Sequence, residues 1–564
     1  MDYKTYIAER LKADGITQEE IAESIAIPPD LSLGDYALPC FKFAKILRKS
    51  PVKIAEELAA TYPTDQVVSS VTAVNGYLNF KIDKIGLASE VLKKIDAEGA
   101  RYGASAAGGG KVICIDYSSV NIAKPFHIGH LSTTVLGGAL YRIFNFLGYK
   151  AVGINHLGDY GTQFGKLISA YKRWGNREEI EKGGIRALNE LYVRFHREAE
   201  TQPELDDEAR AYFKKIENGD KECLELFDWF KELTLKDVKK IYELLDIRFD
   251  SYAGESFYQD KMQPVVDELK EKGLLQESRG AQIVDLEAYG MSPCIILKSD
   301  GSSLYATRDM AAAIYRKKTY DFEKCLYVVA YQQNLHFKQV FKVLELMGKE
   351  WAKDLVHVAY GMVSLEEGAM STRKGNVVFL EDVIKKCVEK ALLILTEKNP
   401  ALENKEEVAK TVGVGAVVFG ALYNNKIKDI TFSYDRALNF DGETSVYVQY
   451  TAARAASVLA KAKAQGISFE GATPAALTDS ETELVKALGE FPDTVLSAAE
   501  KYEPSVIARY AVDTAQKFNK FYIECPVLTA EQGVKEFRLR LTRAALTSLK
   551  NALALLGIGV PEKM

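Results

Sequence analysis

Two of the six histidines stand three residues apart in the segment DYSSVNIAKPFHIGH, residues 116–130. The segment follows the apolar run VICI and precedes an amphipathic stretch, so we expect it to join a buried strand to a helix. A helix N-terminus has unpaired N–H groups and a positive dipole end, which favour phosphate. His127 and His130 would share one helix face and donate to the same phosphate chain, and Gly129 would admit a flat base. The alternative is that the histidines only cap the helix.

A second segment, GAMSTRKGNVV at residues 368–378, combines small and basic residues, which suits a loop that closes over a negatively charged ligand. Arg373 and Lys374 could stabilise a pentavalent phosphorus transition state and a departing pyrophosphate. Short loops rich in Ser, Lys and Gly are commonly solvated turns. The segment therefore indicates phosphoryl chemistry only in combination with the two histidines.

The elements that must position these residues form a repeated pattern. VICIDYSS is predicted to be a strand, the stretch from about His127 to Gly148 a helix, and KAVGINHLGDYG a second strand. This βαβ order implies a parallel sheet with a ligand crevice at the carboxyl ends of its strands. CLYVVAYQQ and the helical stretch ending at Gly348 repeat the pattern, and the charge-dense residues 166–275 predict a helical insertion.

Four regions follow from these patterns. A small α+β N-terminal domain is predicted for residues 1–105, before the Gly-rich linker GASAAGGGK. Residues 110–365 are predicted to form a Rossmann-type α/β domain with the insertion, and residues 366–440 a connecting region that carries the basic loop. Residues 441–564 predict an all-α domain, because strand signals nearly vanish there and Leu541, Ala545, Leu549, Ala552 and Leu556 recur at helical spacing.

Composition excludes several classes of protein. The 564 residues are 47% hydrophobic and 27% charged, as in ordinary globular chains, and the net charge of −5 argues against coating of nucleic acid by bulk positive charge. Seven scattered cysteines without a CxxC pair predict neither a disulfide framework nor a metal site. The charged start and the short longest apolar run, residues 412–423, predict a cytoplasmic enzyme without a membrane segment.

The two segments together resemble the HIGH motif and the mobile signature loop of class I aminoacyl-tRNA synthetases. Further segments are similar to arginyl-tRNA synthetases, in the same order and over essentially the whole chain. They are LSLGDYALPCF, NHLGDYGTQFG, LYATRDMAAA, QNLHFKQVF, MSTRKGN, VYVQYTAARAASVLAKA and ALLGIGVPEKM.

The resemblance implies three sets of site residues. The arginine-binding positions are Asp116, Ser119, Val120, Asn121, His130, Tyr305, Asp309 and Gln333. The ATP-binding positions are His127, Gly129, His130, Met370, Ser371 and Lys374, and the catalytic ones are His127, His130, Lys124, Arg373 and Lys374.

A guanidinium group has five planar donors and requires carboxylates, which Asp309 and Asp116 could supply. The alternative for Asp309 is a surface ion pair with Arg308.

The chain departs from the expected pattern in two ways. Class I loops usually carry lysines where this chain has Ala369 and Thr372, and the resemblance implies that Lys124, just ahead of the histidines, compensates. Lys124 could instead be a solvated charge flanking a helix. Val120 stands where the family commonly has proline, which leaves the rigidity of that loop open.

Contacts to nucleic acid are predicted at both ends of the chain. Residues 41–53 hold five basic residues and no acidic one, and their spacing would place several on one helical face. The alternative is that this face is only solvated and contacts no nucleic acid. By resemblance this region meets the tRNA elbow and the C-terminal helices meet the anticodon stem-loop. The candidate residues are Lys42, Lys45, Lys49, Tyr77 and Tyr450, the tyrosines for stacking unless they lie in the core.

The resemblance implies ligation of L-arginine to its tRNA through arginyl-adenylate, with ATP as substrate, Mg²⁺ on its phosphates, and a monomeric enzyme. Three alternatives remain open at this point. The chain could be a class I synthetase for another amino acid, or a small-molecule nucleotidyltransferase with an HxGH site. It could also be a tRNA-binding paralogue that has lost activity.

Overall fold

The computed structural model describes residues 3–30, 32–65, 67–122, 124–299, 305–366 and 378–564. Its contacts divide the chain into two units. Unit 1 comprises residues 1–102, 455–491 and 513–548, and unit 2 comprises residues 103–454, 492–512 and 549–564. Units defined by contacts are not sequence domains, so the four predicted regions stay predictions.

Residues 3–98 of unit 1 carry a small antiparallel sheet with helices around it. Their elements are α1 (Tyr3–Arg10), α2 (Gln18–Ser24), β1 (Tyr36–Pro39), α3 (Ala44–Leu47), α4 (Pro51–Thr61), β2 (Val68–Val74), β3 (Tyr77–Ile82) and α5 (Lys84–Glu98). The strand order is β1-β3-β2. Asn75 and Gly76 both take positive φ and form the tight turn between β2 and β3, a geometry for which Asn-Gly is the preferred pair.

The central sheet of unit 2 confirms the predicted α/β architecture. Its four strands are β4 (Val112–Asp116), β5 (Lys150–Ile154), β9 (Lys324–Ala330) and β10 (Leu355–Tyr360), all parallel in the order β10-β9-β4-β5. Between β4 and β5 lies α6 (Leu131–Phe146), and α12 (Tyr305–Tyr320) and α13 (Asn334–Leu346) flank β9. Most of β4 and β5 is buried, as is usual in parallel sheets covered on both faces.

The predicted insertion is helical for most of its length. Its helices are α7 (Thr162–Trp174), α8 (Arg177–Ala199), α9 (Glu204–Glu217), α10 (Lys221–Leu244) and α11 (Met262–Glu271). A three-stranded antiparallel sheet follows, which the sequence did not predict, formed by β6 (Gln276–Ser278), β7 (Ala281–Val284) and β8 (Cys294–Leu297). One core cluster joins buried side chains of the central sheet, α11, β8, α12 and α13.

After β10 the chain continues with short strands and long helices. These are β11 (Val363–Leu365), α14 (Leu380–Lys398), α15 (Lys405–Leu422), β12 (Ile430–Phe432) and α16 (Tyr434–Ala437). Residues 441–564, all of them described, contain helices and no strand, which confirms the predicted all-α region. Its helices are α17 (Ser445–Ala464), α18 (Asp479–Gly489), α19 (Phe491–Glu500), α20 (Ser505–Glu524) and α21 (Val534–Leu555).

Close packing of α6 beneath the sheet sets the start of that helix. Gly137 lies directly against the ring of Tyr117, where any side chain would collide. The hydroxyl of Thr133 donates to the carbonyl of Val328 on β9 at 2.8 Å. These contacts fix the N-terminus of α6, and with it the two histidines, at the carboxyl end of the sheet.

Candidate active site

The loop that leaves β4 has an unusual backbone. Ser118 and Ser119 take φ values of 68° and 46°, the left-handed region that non-glycine residues rarely adopt. The Ser118 N–H donates to the Thr133 hydroxyl at 3.0 Å, and the Ser118 hydroxyl lies 2.8 Å from the hydroxyl of Tyr242. Backbone strain of this kind persists only where surrounding contacts determine the conformation.

The same loop pairs with the segment after β5. The N–H of Gly158 donates to the carbonyl of Val120 at 2.9 Å, and the N–H of Ile122 donates to the carbonyl of Gly158 at 3.1 Å. Val120 is buried, and Asn121 lies opposite Gly158 in an isolated bridge. The loop is thereby held by hydrogen bonds although it lacks the proline common in similar sequences.

His127 and His130 flank a short turn at the start of α6. Residues 128–130 form a single 3-10 turn rather than the first turn of an α-helix, and the two rings lie 3.9 Å apart between centroids. The Nδ1 of His127 accepts the N–H of Gly129 at 3.1 Å, and the Nδ1 of His130 accepts the N–H of His127 at 3.2 Å. The predicted proximity of the two imidazoles is therefore confirmed.

Burial keeps the two rings neutral, and the hydrogen bonds decide which nitrogen carries the proton. Burial, together with the charge of Lys124, lowers the pKa of His127 to about 4. Burial, with the charges of His127 and Lys124, lowers the pKa of His130 well below its usual value. Both rings are neutral at pH 7, and since each Nδ1 accepts a backbone N–H, the proton of each ring is on Nε2. The turn thus supplies two neutral Nε2–H donors.

The histidine turn is paired with the chain that follows the basic loop. The N–H of Ile128 donates to the carbonyl of Val378 at 3.2 Å, and the N–H of Leu380 donates to the carbonyl of Phe126 at 2.9 Å. His127 lies opposite Phe379 in this antiparallel pairing. The predicted loop residues Met370, Ser371, Arg373 and Lys374, with Ala369 and Thr372, lie outside the described residues.

Asp309 occupies the centre of a second cluster. Its Oδ2 lies 2.5 Å from Nε2 of His336, and its Oδ1 lies 4.0 Å from Nε2 of His156, while the side chain keeps 24% of its surface exposed. Burial by itself raises the pKa of Asp309, but the hydrogen bond to His336 and the neighbouring positive charge outweigh it and lower the pKa. The carboxylate is ionised and retains acceptor capacity on Oδ1.

Asp116 has an internal cationic partner, which the sequence did not predict. Its Oδ2 accepts from Nη2 of the fully buried Arg316 at 2.7 Å, and its Oδ1 accepts from the hydroxyl of Ser119 at 2.7 Å. The charge of Asp116 raises the pKa of Arg316 against the effect of burial. Because Arg316 already neutralises Asp116, the role of Asp116 as a substrate ligand stays a prediction, and Asp309 is the better-supported carboxylate.

The surface ion pair considered for Asp309 does not form. Arg308 instead approaches Glu255, with 3.1 Å between Nη1 and Oε1, and both side chains are largely buried. Burial raises the pKa of Glu255 to about 7, against the lowering effect of Arg308. Asp309 therefore faces its histidines rather than its neighbour in sequence.

The remaining predicted residues lie at the edges of these clusters. Tyr305 begins the described part of α12, four residues before Asp309 as predicted, and is 66% exposed. Gln333 is exposed in the turn between β9 and α13, and Gly129 is buried in the histidine turn. Lys124 places its Nζ 6.0 Å from the ring centroid of Tyr192 on α8.

Sequence reasoning missed several residues of the second cluster. His156 lies within the segment NHLGDYGTQFG and His336 within QNLHFKQVF, but neither is among the predicted site residues. His156 Nδ1 lies 3.4 Å from Nη2 of Arg316, so His156 connects the Asp116 pair with Asp309. The sequence signal that could have indicated them is that each histidine lies in or just after a predicted parallel strand.

The basic segment near the N-terminus is not one helix. Arg48 takes a left-handed φ of 51° and ends α3, and Ser50 and Pro51 start α4 anew, so the prediction of a shared helical face is wrong. Lys42, Lys45 and Lys49 are nevertheless exposed, although Lys49 forms an ion pair with Glu57 at 2.5 Å.

Both tyrosines predicted to stack on bases are accessible. Tyr77 is 43% exposed and makes an edge contact with the exposed ring of Phe41, 5.2 Å between centroids. Tyr450 is 38% exposed, with the guanidinium of Arg454 5.0 Å from its ring centroid. Neither is a core residue, which removes the alternative considered for them.

Two features are absent from the part of the chain that the structure describes. The side chains there include no group of three or more His, Cys, Asp or Glu residues that could share a metal ion. Of the helices there, none has both the length and the apolar character that a bilayer crossing requires.

Comparison with known proteins covers the whole chain. Family models match residues 1–82 (arginyl tRNA synthetase N terminal domain), 91–434 (tRNA synthetases class I (R), catalytic domain) and 448–564 (DALR anticodon binding domain). The arginine–tRNA ligases of Clostridioides difficile and Alkaliphilus metalliredigens are each 53% identical to this chain, with complete coverage of both sequences.

Solved structures of arginyl-tRNA synthetases are similar to this chain over nearly its whole length. The arginyl-tRNA synthetase of Thermus thermophilus superposes with a TM-score of 0.84 at 29% identity, covering 100% of this chain and 99% of that one. The enzyme of Plasmodium falciparum gives 0.79 at 25% identity, covering 96% and 94%. The chain thus belongs to the arginyl-tRNA synthetase family of class I aminoacyl-tRNA synthetases.

Proposed function

We propose that this protein ligates L-arginine to tRNA(Arg) in two ATP-dependent steps. The arginine carboxylate attacks the α-phosphorus of ATP in line, and pyrophosphate leaves. The 2′-hydroxyl of the terminal adenosine of the tRNA then attacks the carbonyl carbon of arginyl-adenylate and AMP leaves. The observation that carries the proposal is the ionised, partly accessible carboxylate of Asp309.

The arginine side chain would be held by charge. Oδ1 of Asp309 has no partner closer than His156 at 4.0 Å among its described ion pairs, so it can accept from a guanidinium group. Tyr305 and Gln333 are exposed near the ends of the helices that carry Asp309 and His336. Ser119, Val120, Asn121 and the carboxylate of Asp116 would complete the pocket from the loop after β4.

Adenylate formation would depend on positioning and on stabilisation of developing charge, with no protein nucleophile. His127 and His130 would donate their Nε2–H groups to phosphate oxygens of ATP, and Gly129 would lie under the adenosine. Lys124, Arg373 and Lys374 would supply positive charge, and Met370 and Ser371 would contact ATP. For the four loop residues this proposal is supported by the sequence motif alone.

Magnesium would enter with the nucleotide. We infer that Mg²⁺ is bound by the phosphates of ATP, whose oxygens are the hard ligands that this ion prefers. There it would neutralise phosphate charge.

Binding of tRNA would use both ends of the chain. The exposed side chains of Lys42, Lys45 and Lys49 suit contacts to a phosphate backbone, and the exposed ring of Tyr77 suits stacking on an unpaired base. We assign residues 1–105 to the tRNA elbow, residues 441–564 with Tyr450 to the anticodon stem-loop, and residues 110–365 to catalysis. On the basis of the family resemblance alone, we expect the enzyme to act as a monomer in the cytoplasm and to activate arginine only when tRNA is bound.

A direct test is ATP–pyrophosphate exchange with each of the twenty amino acids, in the presence and absence of total tRNA. Arginine with tRNA should give exchange far above every other amino acid. Exchange with a neutral amino acid and none with arginine would favour a synthetase of different specificity. Binding of tRNA without any exchange would favour the inactive paralogue, and exchange without tRNA binding the small-molecule nucleotidyltransferase.

A further inference from the structure

The position of His127 depends on a short antiparallel pairing. Two backbone hydrogen bonds, Ile128 to Val378 and Leu380 to Phe126, hold the histidine turn against the residues that begin α14. His127 and Phe379 are the pair directly opposite each other. Whatever fixes Phe379 therefore also fixes the register of His127.

Arg186 of the helical insertion reaches this pairing. Its guanidinium carbon lies 4.0 Å from the ring centroid of Phe379, within cation–π distance. Its Nη2 donates to Oδ1 of Asp382 at 2.8 Å and lies 3.7 Å from Oε2 of Glu381. One side chain thus holds the ring and the first turn of α14 together.

A bend in α8 aims Arg186 at its target. Gly184 takes φ 57° and ψ −139° inside the helix, and a side chain there would displace the carboxylate of Asp237. Oδ2 of Asp237, on α10, accepts the N–H of Ile185 at 2.9 Å, as a cap does at the start of a helix. The direction of the following turn, which carries Arg186, is set by the contact between α8 and α10.

The packing around the backbone pairing is incomplete on the side that faces α8 and α10. A cavity of about 330 Å³ lies next to it, lined by Phe126, Phe379, Arg186, Gly184 and neighbouring residues of α8 and α10. Side chains bordering a cavity have fewer atoms to hold them in place. The Arg186–Asp382 pair is about half exposed, 45% and 53%, and such pairs contribute little to global stability. Its structural consequence is local.

We propose that Arg186 is a positioning residue for arginyl-adenylate formation, which holds Phe379 and thereby keeps His127 in the register required to donate to ATP. The proposal rests on the proposed function of the chain. Arg186 touches no substrate in this account and acts through the backbone pairing alone.

The test compares variants by tRNA-dependent ATP–pyrophosphate exchange with arginine. Arg186→Ala removes the ion pair and the ring contact, and Arg186→Lys keeps the charge but loses the planar stacking. The matched control is Arg177→Ala on the same helix, because Arg177 also forms an exposed ion pair, with Glu181 at 2.9 Å, and lies over a ring, that of Trp229 at 4.8 Å. Asp382→Asn removes the pair without altering α8.

Arg186→Ala should lower kcat about tenfold with KM for arginine within about twofold, since small displacements of catalytic groups are costly. Arg186→Lys should be less impaired than Arg186→Ala. Asp382→Asn should lower kcat by part of the same factor, and combining it with Arg186→Ala should lower kcat little further. Arg177→Ala should behave as wild type. All variants should bind tRNA normally and melt within about 2 °C of wild type.

An independent readout is amide hydrogen exchange at residues 126–130 and 378–382, which should become faster in Arg186→Ala and not in Arg177→Ala. Unchanged amide exchange and a kcat equal to that of Arg177→Ala would overturn the proposal while leaving the proposed function intact. A wild-type protein without arginine-dependent pyrophosphate exchange would instead overturn the proposed function and this proposal with it.

Discussion

The rings of His127 and His130 lie 3.9 Å apart near the charge of Lys124, whereas His156 and His336 each face one oxygen of the Asp309 carboxylate. In the first pair, burial and positive charge keep the rings neutral, and backbone N–H groups occupy both Nδ1 atoms. In the second cluster, the histidine contacts keep a carboxylate ionised at a site where burial alone would favour its neutral form.

This contrast fits the two ligands proposed for the fold, a phosphate chain at the histidine turn and a guanidinium group at Asp309. Neutral imidazole donors can bind phosphate without bringing a buried cation whose charge would have to be balanced when ATP is absent. A carboxylate that stays charged suits a guanidinium, which never loses its proton. The two histidine pairs are therefore expected to respond differently to substitution.

Asp309→Asn should have the largest effect. Loss of the charge leaves the guanidinium of arginine without its counter-ion, so kcat/KM for arginine should fall roughly a thousandfold. KM for ATP should change little, because the histidine turn is untouched. Steady-state pyrophosphate exchange with each substrate varied in turn measures both quantities.

The matched control is Asp321→Asn just after the same helix, since the Asp321 side chain is 90% exposed in its pair with Lys317. It should behave as wild type. An Asp309→Asn enzyme that loses ATP affinity as much as arginine affinity would show that the two sites are not separate in function.

His127→Ala should lower kcat about a hundredfold, as the loss of one charge-stabilising donor does in other enzymes, and leave KM for arginine nearly unchanged. His127→Asn separates catalysis from structure. Asparagine can replace Nδ1 as acceptor for the N–H of Gly129 but has no donor at the Nε2 position. It should therefore be as inactive as the alanine variant yet melt close to wild type. An active His127→Asn enzyme would mean that the turn, not the Nε2–H, is what matters.

His336→Ala should raise KM for arginine about tenfold, because it removes one charged hydrogen bond that orients Asp309. His336→Gln can place an amide donor near the former Nε2 position and should recover most of the loss. Titration of arginine in the exchange assay at saturating ATP is the measurement. No recovery with glutamine, or an effect on ATP instead, would contradict the assigned role.

The smallest effect concerns stability at acid pH. The pKa of His127 is about 4 in the folded protein against 6.5 for the free side chain, so the unfolded chain binds the proton first as pH falls. The stabilising contribution of neutral His127 is full above pH 6.5 and is lost as pH falls towards 4. In His127→Asn the loss of unfolding free energy over this interval should be smaller by about 2 kcal/mol. Thermal melting from pH 7 to 4 tests this, and parallel curves for both proteins would contradict it.

Features encoded by local periodicity were predictable from the sequence. The parallel sheet, the proximity of His127 to His130, and the shared helix of Tyr305 and Asp309 all follow from short-range spacing. The three-stranded sheet β6–β8 was missed because its strands have only three or four residues, too few to show a period.

Features set by contacts between distant segments were not predictable. The residues around Arg316 in the sequence do not indicate that it is buried against Asp116. The left-handed backbone of Ser118 and Ser119 is held by Thr133 and Tyr242, which belong to other elements. The prediction of one helical face for the basic segment is wrong for a different reason, because the Ser-Pro pair at residues 50–51 starts a new helix. Tertiary contacts, not residue preferences, decide these cases.

The most direct test of the account compares arginine with citrulline, an analogue of the same shape whose ureido group carries no charge. Wild-type protein with tRNA should show a kcat/KM for arginine at least about a thousandfold above that for citrulline, because the uncharged analogue leaves the Asp309 carboxylate unpaired. In Asp309→Asn this ratio should collapse by loss of the arginine reaction. Comparable activity with both amino acids in the wild-type protein would contradict the claim that an ionised Asp309 selects the substrate.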